Sequence, residues 1–446
     1  MKVLCPLVLA FTAVLAQAQP KPGDFEVSPL PPQVRSMMRT RAVGTRASSV
    51  VRQCSTDICT TTQPHACIEV GFPETSWRTC ISNQGRRGLV LGPTDLRRDP
   101  TAPWMRILRE ASVAEIFVPY HFFSALRLYD FQSGTESSLL EMSTADAGPT
   151  GTLVTLAGGP YPQVAVETND RGIAWLCKGL VQQRVRRGQE VVLWGVYDAQ
   201  NYDFIIDYRL RDDGSIGFHL GATGFNNPYI PPDSTTDAHM HSILWRVDVD
   251  LNGADGDSAM LLTHNEPSIN ATDSEVPFNG GKEGAIAWDA LQFLTIAIED
   301  TTPNVFGHPI GYAIHTTPEG ISRHKAGSET FTQTDFAVTR YKQGERDAFF
   351  DTAQVRWLHP DQYLLGEAPF AGFGISDAES VTNEDLVLWH RTSVHHDPHD
   401  EDHAPGDPAN LMTGVTLVHW TGFDLEPRNL FDFNPLGGPS RANCTP

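Results

Sequence analysis

Positive charge is scarce in this sequence. Of its 446 residues, 33 are Lys or Arg and 54 are Asp or Glu, a formal net charge of −21. Phosphate backbones and anionic bilayer surfaces are gripped by clustered Lys and Arg. The balance therefore argues against a nucleic-acid binder and against a protein held electrostatically on a membrane. Long apolar runs are also missing. Past residue 18, no stretch approaches the ~20 apolar residues that a membrane-spanning helix needs. Helical periodicity is rare, and the best short candidate for a helix is Trp104 to Ala114. What is present is ordinary for a folded chain. Hydrophobic residues make up 40% and charged residues 20%, which excludes wholesale disorder.

Cysteine is sparse, at seven residues. The N-terminus frames how they are read. Lys2 precedes the apolar run Val3 to Leu15, too short to span a bilayer, and Ala16-Gln17-Ala18 resembles a signal cleavage site. Residues 1–18 are thus expected to be a signal peptide, with Cys5 inside it, and the product to be secreted. In an exported chain, Cys54, Cys59, Cys67 and Cys80 are expected to form two disulfides, with the pairing open. They lack the tight C-x-x-C pairs that zinc prefers. Cys177 follows the apolar run Ile173 to Leu176 and is expected to be a buried thiol, while Cys444 stands apart. Asn270-Ala-Thr and Asn443-Cys-Thr are glycosylation sequons.

Residues 19–69 read as a Pro/Arg/Ser-rich arm carrying the cysteine cluster, and residues 70–446 as one large unit. The pattern in that unit is mainly β. Strand-like runs cover Gln189 to Tyr197, Phe204 to Leu210, Leu291 to Ile298, Phe336 to Tyr341, Asp385 to Trp389 and Thr413 to His419. Ile216 to Leu220 follows the turn Asp212-Asp213-Gly214 as a hairpin partner. Many short strands with turns between them predict a large antiparallel β-sandwich.

One strand carries chemistry. From His239 the chain reads His-Met-His-Ser-Ile-Leu-Trp-Arg-Val-Asp-Val-Asp, ending at Asp250. Strand side chains alternate between faces. His239 and His241 therefore share a face with Ile243, Trp245, Val247 and Val249, while Asp248 and Asp250 point the other way with Arg246. Leu244 breaks the pattern. Two imidazoles on one apolar face suit copper or zinc. The two carboxylates could hold a hard cation such as calcium, or simply face solvent.

Beyond this strand the sequence resembles the copper amine oxidases. Asn201-Tyr202-Asp203-Phe204 is similar to that family's Asn-Tyr-Asp/Glu-Tyr hallmark, whose first Tyr becomes the topaquinone cofactor. His239-x-His241, Asp385 to Trp389 and His396-Asp-Pro398-His-Asp-Glu401-Asp402 follow in the family's order, closing with Leu430 to Pro435. Upstream, Ala114 to Tyr120 and Gly172 to Trp175 match further segments, and Gly221 to Gly224 follows the hallmark. The ordered set runs from about residue 75 to 440.

The resemblance implies a fold, a set of sites and a reaction. The fold is the family's large catalytic β-sandwich. His239, His241 and His396 match the copper ligands, with His395 the neighbouring competitor. Tyr202 matches the topaquinone precursor, flanked by Asn201 and Asp203, which would restrain the ring. Tyr120 matches the tyrosine that hydrogen-bonds the quinone, and Asp130 is the nearest match to the catalytic base. Asp248, Asp250 and Asp385, with the carbonyls of Val249 and Leu386, match a peripheral calcium site. The implied reaction turns primary amines and O₂ into aldehydes, ammonia and hydrogen peroxide, and the implied assembly is a homodimer. The acidic surplus would then attract cationic amines.

The departures are specific. The segment from Tyr120 to Asp130 is short, the gate aromatic falls on Leu128, and Phe204 stands at the hallmark's second Tyr. The family's N-terminal accessory domains are expected to be missing, and the cysteine pair usual in its secreted eukaryotic members is not visible at its expected place. Two alternatives stay open: a catalytically altered relative that binds copper or a ligand, and an enzyme for a specialised metabolite. A multicopper oxidase would need several H-x-H pairs and a Cys ligand, and no Cys lies near His396.

Overall fold

Gly214 takes φ +88°, a left-handed conformation that suits glycine. It closes the hairpin between Tyr202–Arg211 and Ile216–Gly224, with Leu210 opposite Ile216. The computed structural model describes residues 49–119, 126–129, 139–178, 183–199, 202–225, 238–265, 272–289, 293–316, 322–324, 329–343, 345, 349–351, 356–367, 370, 372–398, 400–402 and 414–438. The signal-like segment, the asparagines of both sequons, Cys444, Tyr120, Asp130 and Asn201 lie outside these residues.

The described residues form strands β1 (Val50–Gln53), β2 (His65–Gly71), β3 (Ser76–Asn83), β4 (Leu89–Arg97), β5 (Met105–Val118) and β6 (Leu126–Tyr129). Next come β7 (Thr152–Thr155), β8 (Pro162–Lys178), β9 (Gln183–Ala199), β10 (Tyr202–Arg211), β11 (Ile216–Gly224) and β12 (His239–Val249). Then follow β13 (Asp257–Asn265), β14 (Thr272–Pro277), β15 (Gly284–Ile286), β16 (Phe293–Pro303), β17 (Pro309–Thr316) and β18 (Phe336–Arg340). The last are β19 (Phe349–Asp351), β20 (Arg356–Leu358), β21 (Thr382–Glu384), β22 (Leu386–His396) and β23 (His419–Arg428).

Two antiparallel sheets hold nearly all of them. The first runs β1-β2-β3-β4-β5-β12-β22-β18-β15, with β6 on β5. The second runs β14-β13-β16-β17-β23-β11-β10-β9-β8-β7, with β21 on β13. Their inner faces share one core. Trp245 of the first sheet packs against Tyr208, Phe218 and Phe423 of the second, with ring centroids 6.5, 6.2 and 6.0 Å away. This is the predicted sandwich.

The first sheet also has a covered outer face. Leu244, Phe117, Val387 and Trp389 form a second apolar cluster with Phe331 and Leu364. That explains why Leu244 breaks the alternation: β12 is buried on both faces. Asp248 and Asp250 are buried as well, so the solvated-face reading of these carboxylates does not hold.

Several expectations are corrected. Trp104 to Ala114 is not helical; most of it forms β5, between β4 and β12. Irregularities in its pairing with both neighbours reset the side-chain alternation, so buried residues fall at spacings that imitate a helix. Of the expected run Thr413 to His419, residues 414–418 lie outside any strand, strand structure begins at His419, and Thr413 lies outside the described residues. Cys177 is not a free thiol but disulfide-bonded, to a partner outside the described residues. The four early cysteines pair as expected, Cys54 with Cys67 and Cys59 with Cys80. Their segment also does more than serve as an arm, since β1 and β2 extend the first sheet at its edge. No helix among the described residues is long and apolar enough to cross a membrane.

Candidate metal centre and its tyrosine

Antiparallel register builds the centre. β12 begins at His239 and β22 ends at His396, and the two are directly paired. Alternation brings His241 onto the same inner face, two residues along β12. The ring centroids are 4.9 Å apart for His239 and His241, and 5.1 Å for His239 and His396. The same alternation turns His395 outward to solvent, while His396 is 1% exposed. His395 therefore cannot join the other two, and the inward histidine is the one that the resemblance to the family's His396-Asp-Pro398 segment pointed to.

The second sheet brings the tyrosine. Tyr202 is the first residue of β10, between Ala199 of β9 and Gly224 of β11. Its side chain enters the sandwich in line with Phe204, Ile206, Tyr208 and Leu210, all core residues. The phenol oxygen lies 2.8 Å from His396 Nδ1 and 3.2 Å from His239 Nε2. The Tyr202 ring is also 4.8 Å from the His241 ring.

The donor set fits a copper ion. His241 is 1% exposed, and neither of its ring nitrogens has a hydrogen-bond partner among the described residues. Such a buried orphan is costly unless a ligand satisfies it. Burial first, then the neighbouring His239 and His396, holds the His241 proton affinity well below its ordinary value. The ring is thus neutral, the form that binds a metal. Behind His396, its Nε2 is 3.0 Å from Asp402 Oδ2, so the carboxylate fixes the ring with Nδ1 aimed into the pocket.

Asp203 is placed differently from expectation. It follows Tyr202 in a strand, so its carboxylate lies on the opposite face from the phenol and does not share the pocket. Burial, with Asp198 nearby, raises its proton affinity.

At the far end of β12, Asp248, Asp250 and Asp385 bring carboxylate oxygens within 4.8 Å of one another. Each has an oxygen without a hydrogen-bond partner among the described residues. Burial and mutual repulsion push Asp385 up to about 7 and Asp250 up to about 6. Asp257 joins this cluster and is pushed up to about 9. A hard cation would relieve the repulsion.

A family model of the copper amine oxidase enzyme domain matches residues 167–443. The chain belongs to the copper amine oxidase family. It is 25% identical over 422 residues to the peroxisomal copper-containing amine oxidase alpha 2 of Arabidopsis thaliana, covering 83% of this chain and 60% of that protein. It is 24% identical over 421 residues to the histamine oxidase of Arthrobacter globiformis, covering 82% and 57%. The crystal structure of a copper-containing benzylamine oxidase from Hansenula polymorpha superposes with a TM-score of 0.63 at 17% identity, over 82% of this chain and 60% of that one. The chain thus spans about 60% of the length of these relatives.

Within the amine oxidase domain, sequence reading named the three histidines and Tyr202 but gave no role to Asp402 or His419. Asp402 falls six residues after His396 in the quoted motif, so its signal was visible. His419 carried none, because only the sheet order brings β23 to the centre.

Proposed function

We propose that this chain is a secreted oxidase that converts primary amines to aldehydes, using copper and a topaquinone made from Tyr202. The observation that carries the reading is the Tyr202 hydroxyl set between two inward imidazoles, beside a third whose nitrogens have no partner among the described residues. His239, His241 and His396 would hold the copper. Bound there, copper supplies the one-electron chemistry with O₂ that converts the adjacent phenol to the quinone.

The chain's own residues have separable tasks. Asp402 orients His396 and keeps Nδ1 directed at the phenol. Phe204, with its ring 6.3 Å from that of Tyr202, limits how far the phenol tilts. By the resemblance, Asp130 would serve as the general base for the proton on the substrate carbon beside nitrogen. By the same resemblance, Tyr120 would donate a hydrogen bond to the quinone oxygen and Asn201 would restrain the ring. The overall change is RCH₂NH₂ + O₂ + H₂O → RCHO + NH₃ + H₂O₂. Asp248, Asp250 and Asp385, with the Val249 and Leu386 carbonyls, would bind calcium. Export, glycosylation at the two sequons and a homodimer complete the proposal.

Copper-loaded protein should show a visible quinone band and redox-cycling staining, and should release peroxide with a primary amine. Tyr202→Phe should lose all three while still binding copper. A band that survives this change would sink the assignment. Bound copper without peroxide from a broad amine panel would favour a non-enzymatic copper-binding relative.

A further inference from the structure

The geometry points to His419 as a fourth imidazole ligand of the copper centre, supplied by the sheet that carries Tyr202. This rests on the reading that His239, His241 and His396 bind copper. β23 begins at His419 and pairs with β11, His419 opposite Ala222; Ala222 in turn faces Phe204 of β10. Along β23, Phe423 and Leu425 belong to the core, while Trp420 is 46% exposed. Alternation therefore turns His419 inward, on the face shared with Phe423. Its ring centroid is 5.3 Å from that of His396.

That spacing continues a series. The separations are 4.9 Å for His241–His239, 5.1 Å for His239–His396 and 5.3 Å for His396–His419. With metal–nitrogen bonds of about 2.0–2.1 Å, imidazoles roughly 90–120° apart around one ion place their ring centres ~4.5–5.5 Å apart. All three separations fall in this range. Three ligands come from the first sheet and the fourth from the second, so the ion would tie the two sheets together at the open end of β12 and β22. A fourth imidazole also occupies a coordination position that three histidines leave to solvent or small molecules. His419 would then trade speed of tyrosine conversion for tighter copper retention.

The test is pulsed electron paramagnetic resonance on the full chain loaded with Cu(II), counting the imidazoles whose remote nitrogens couple to the metal. Four are expected in the wild type and three in His419→Ala, with free imidazole restoring the wild-type spectrum. Copper affinity, measured by competition with a chelator, should fall at least tenfold in His419→Ala. Three imidazoles in the wild type would overturn the proposal and leave the three-histidine reading intact. A wild-type chain that takes up no stoichiometric Cu(II) would overturn both. The wild-type count decides the question even if the alanine variant does not fold, and His419→Gln offers a second variant of similar volume.

Discussion

His395 and His396 are adjacent and chemically identical, yet one is exposed and the other is 1% accessible at the centre. The difference is the parity of one strand. Residue chemistry here acts through such parity, and Asp203 is its mirror case: next to Tyr202 in sequence, on the other face in space. At this scale the most informative partner is Asp402. A carboxylate that holds a ligating histidine typically changes metal affinity 10–100-fold. Asp402→Ala should therefore weaken copper binding about 10–100-fold, read by competition titration, with Tyr202 unchanged. An unaltered affinity would show that the Asp402 contact leaves the ligand untuned.

At the scale of elements, β12 does the most. It carries two of the proposed copper ligands, His239 and His241, at one end, two acidic residues at the other, and Trp245 between them. Trp245 is fully buried and donates from Nε1 to Thr392 Oγ1 at 3.1 Å. Trp245→Ala should cost about 3–5 kcal/mol in denaturant unfolding, whereas Leu417→Ala, at a position 70% exposed, should stay within ~0.5 kcal/mol. A small effect at Trp245 would mean that the two sheets do not depend on this contact. β12 was legible because alternation survives along it even though both faces are buried. β5 was not, because its irregular pairing broke the alternation and left a spacing that looks helical.

For the whole molecule, charge is the governing quantity. Part of the acidic surplus is buried at Asp250 and Asp257 and half-buried at Asp385, held up at about 6, 9 and 7. The ordinary aspartate value is about 3.9. A carboxyl raised in the folded state favours folding most when protonated, and that contribution fades as pH rises through its folded value. With a chelator present, stability should therefore fall from about pH 4, the unfolded value, to about pH 9, the highest folded value in this cluster. Calcium should reverse the fall, raising the melting temperature more at pH 8 than at pH 5. An equal calcium shift at both pH values would remove the cluster as its site.

By itself the sequence determined the class of fold and the histidine pair, through alternation within a strand. Its resemblance to a family, carried by short ordered motifs, supplied the tyrosine and the third histidine. The tertiary structure decided what depends on register between strands distant in sequence. It paired His239 with His396 across an antiparallel ladder, set the Tyr202 hydroxyl 2.8 Å from His396, and brought His419 in from the second sheet. The physical reason is that a strand dictates which face a side chain takes, whereas only pairing and sheet packing dictate which faces meet.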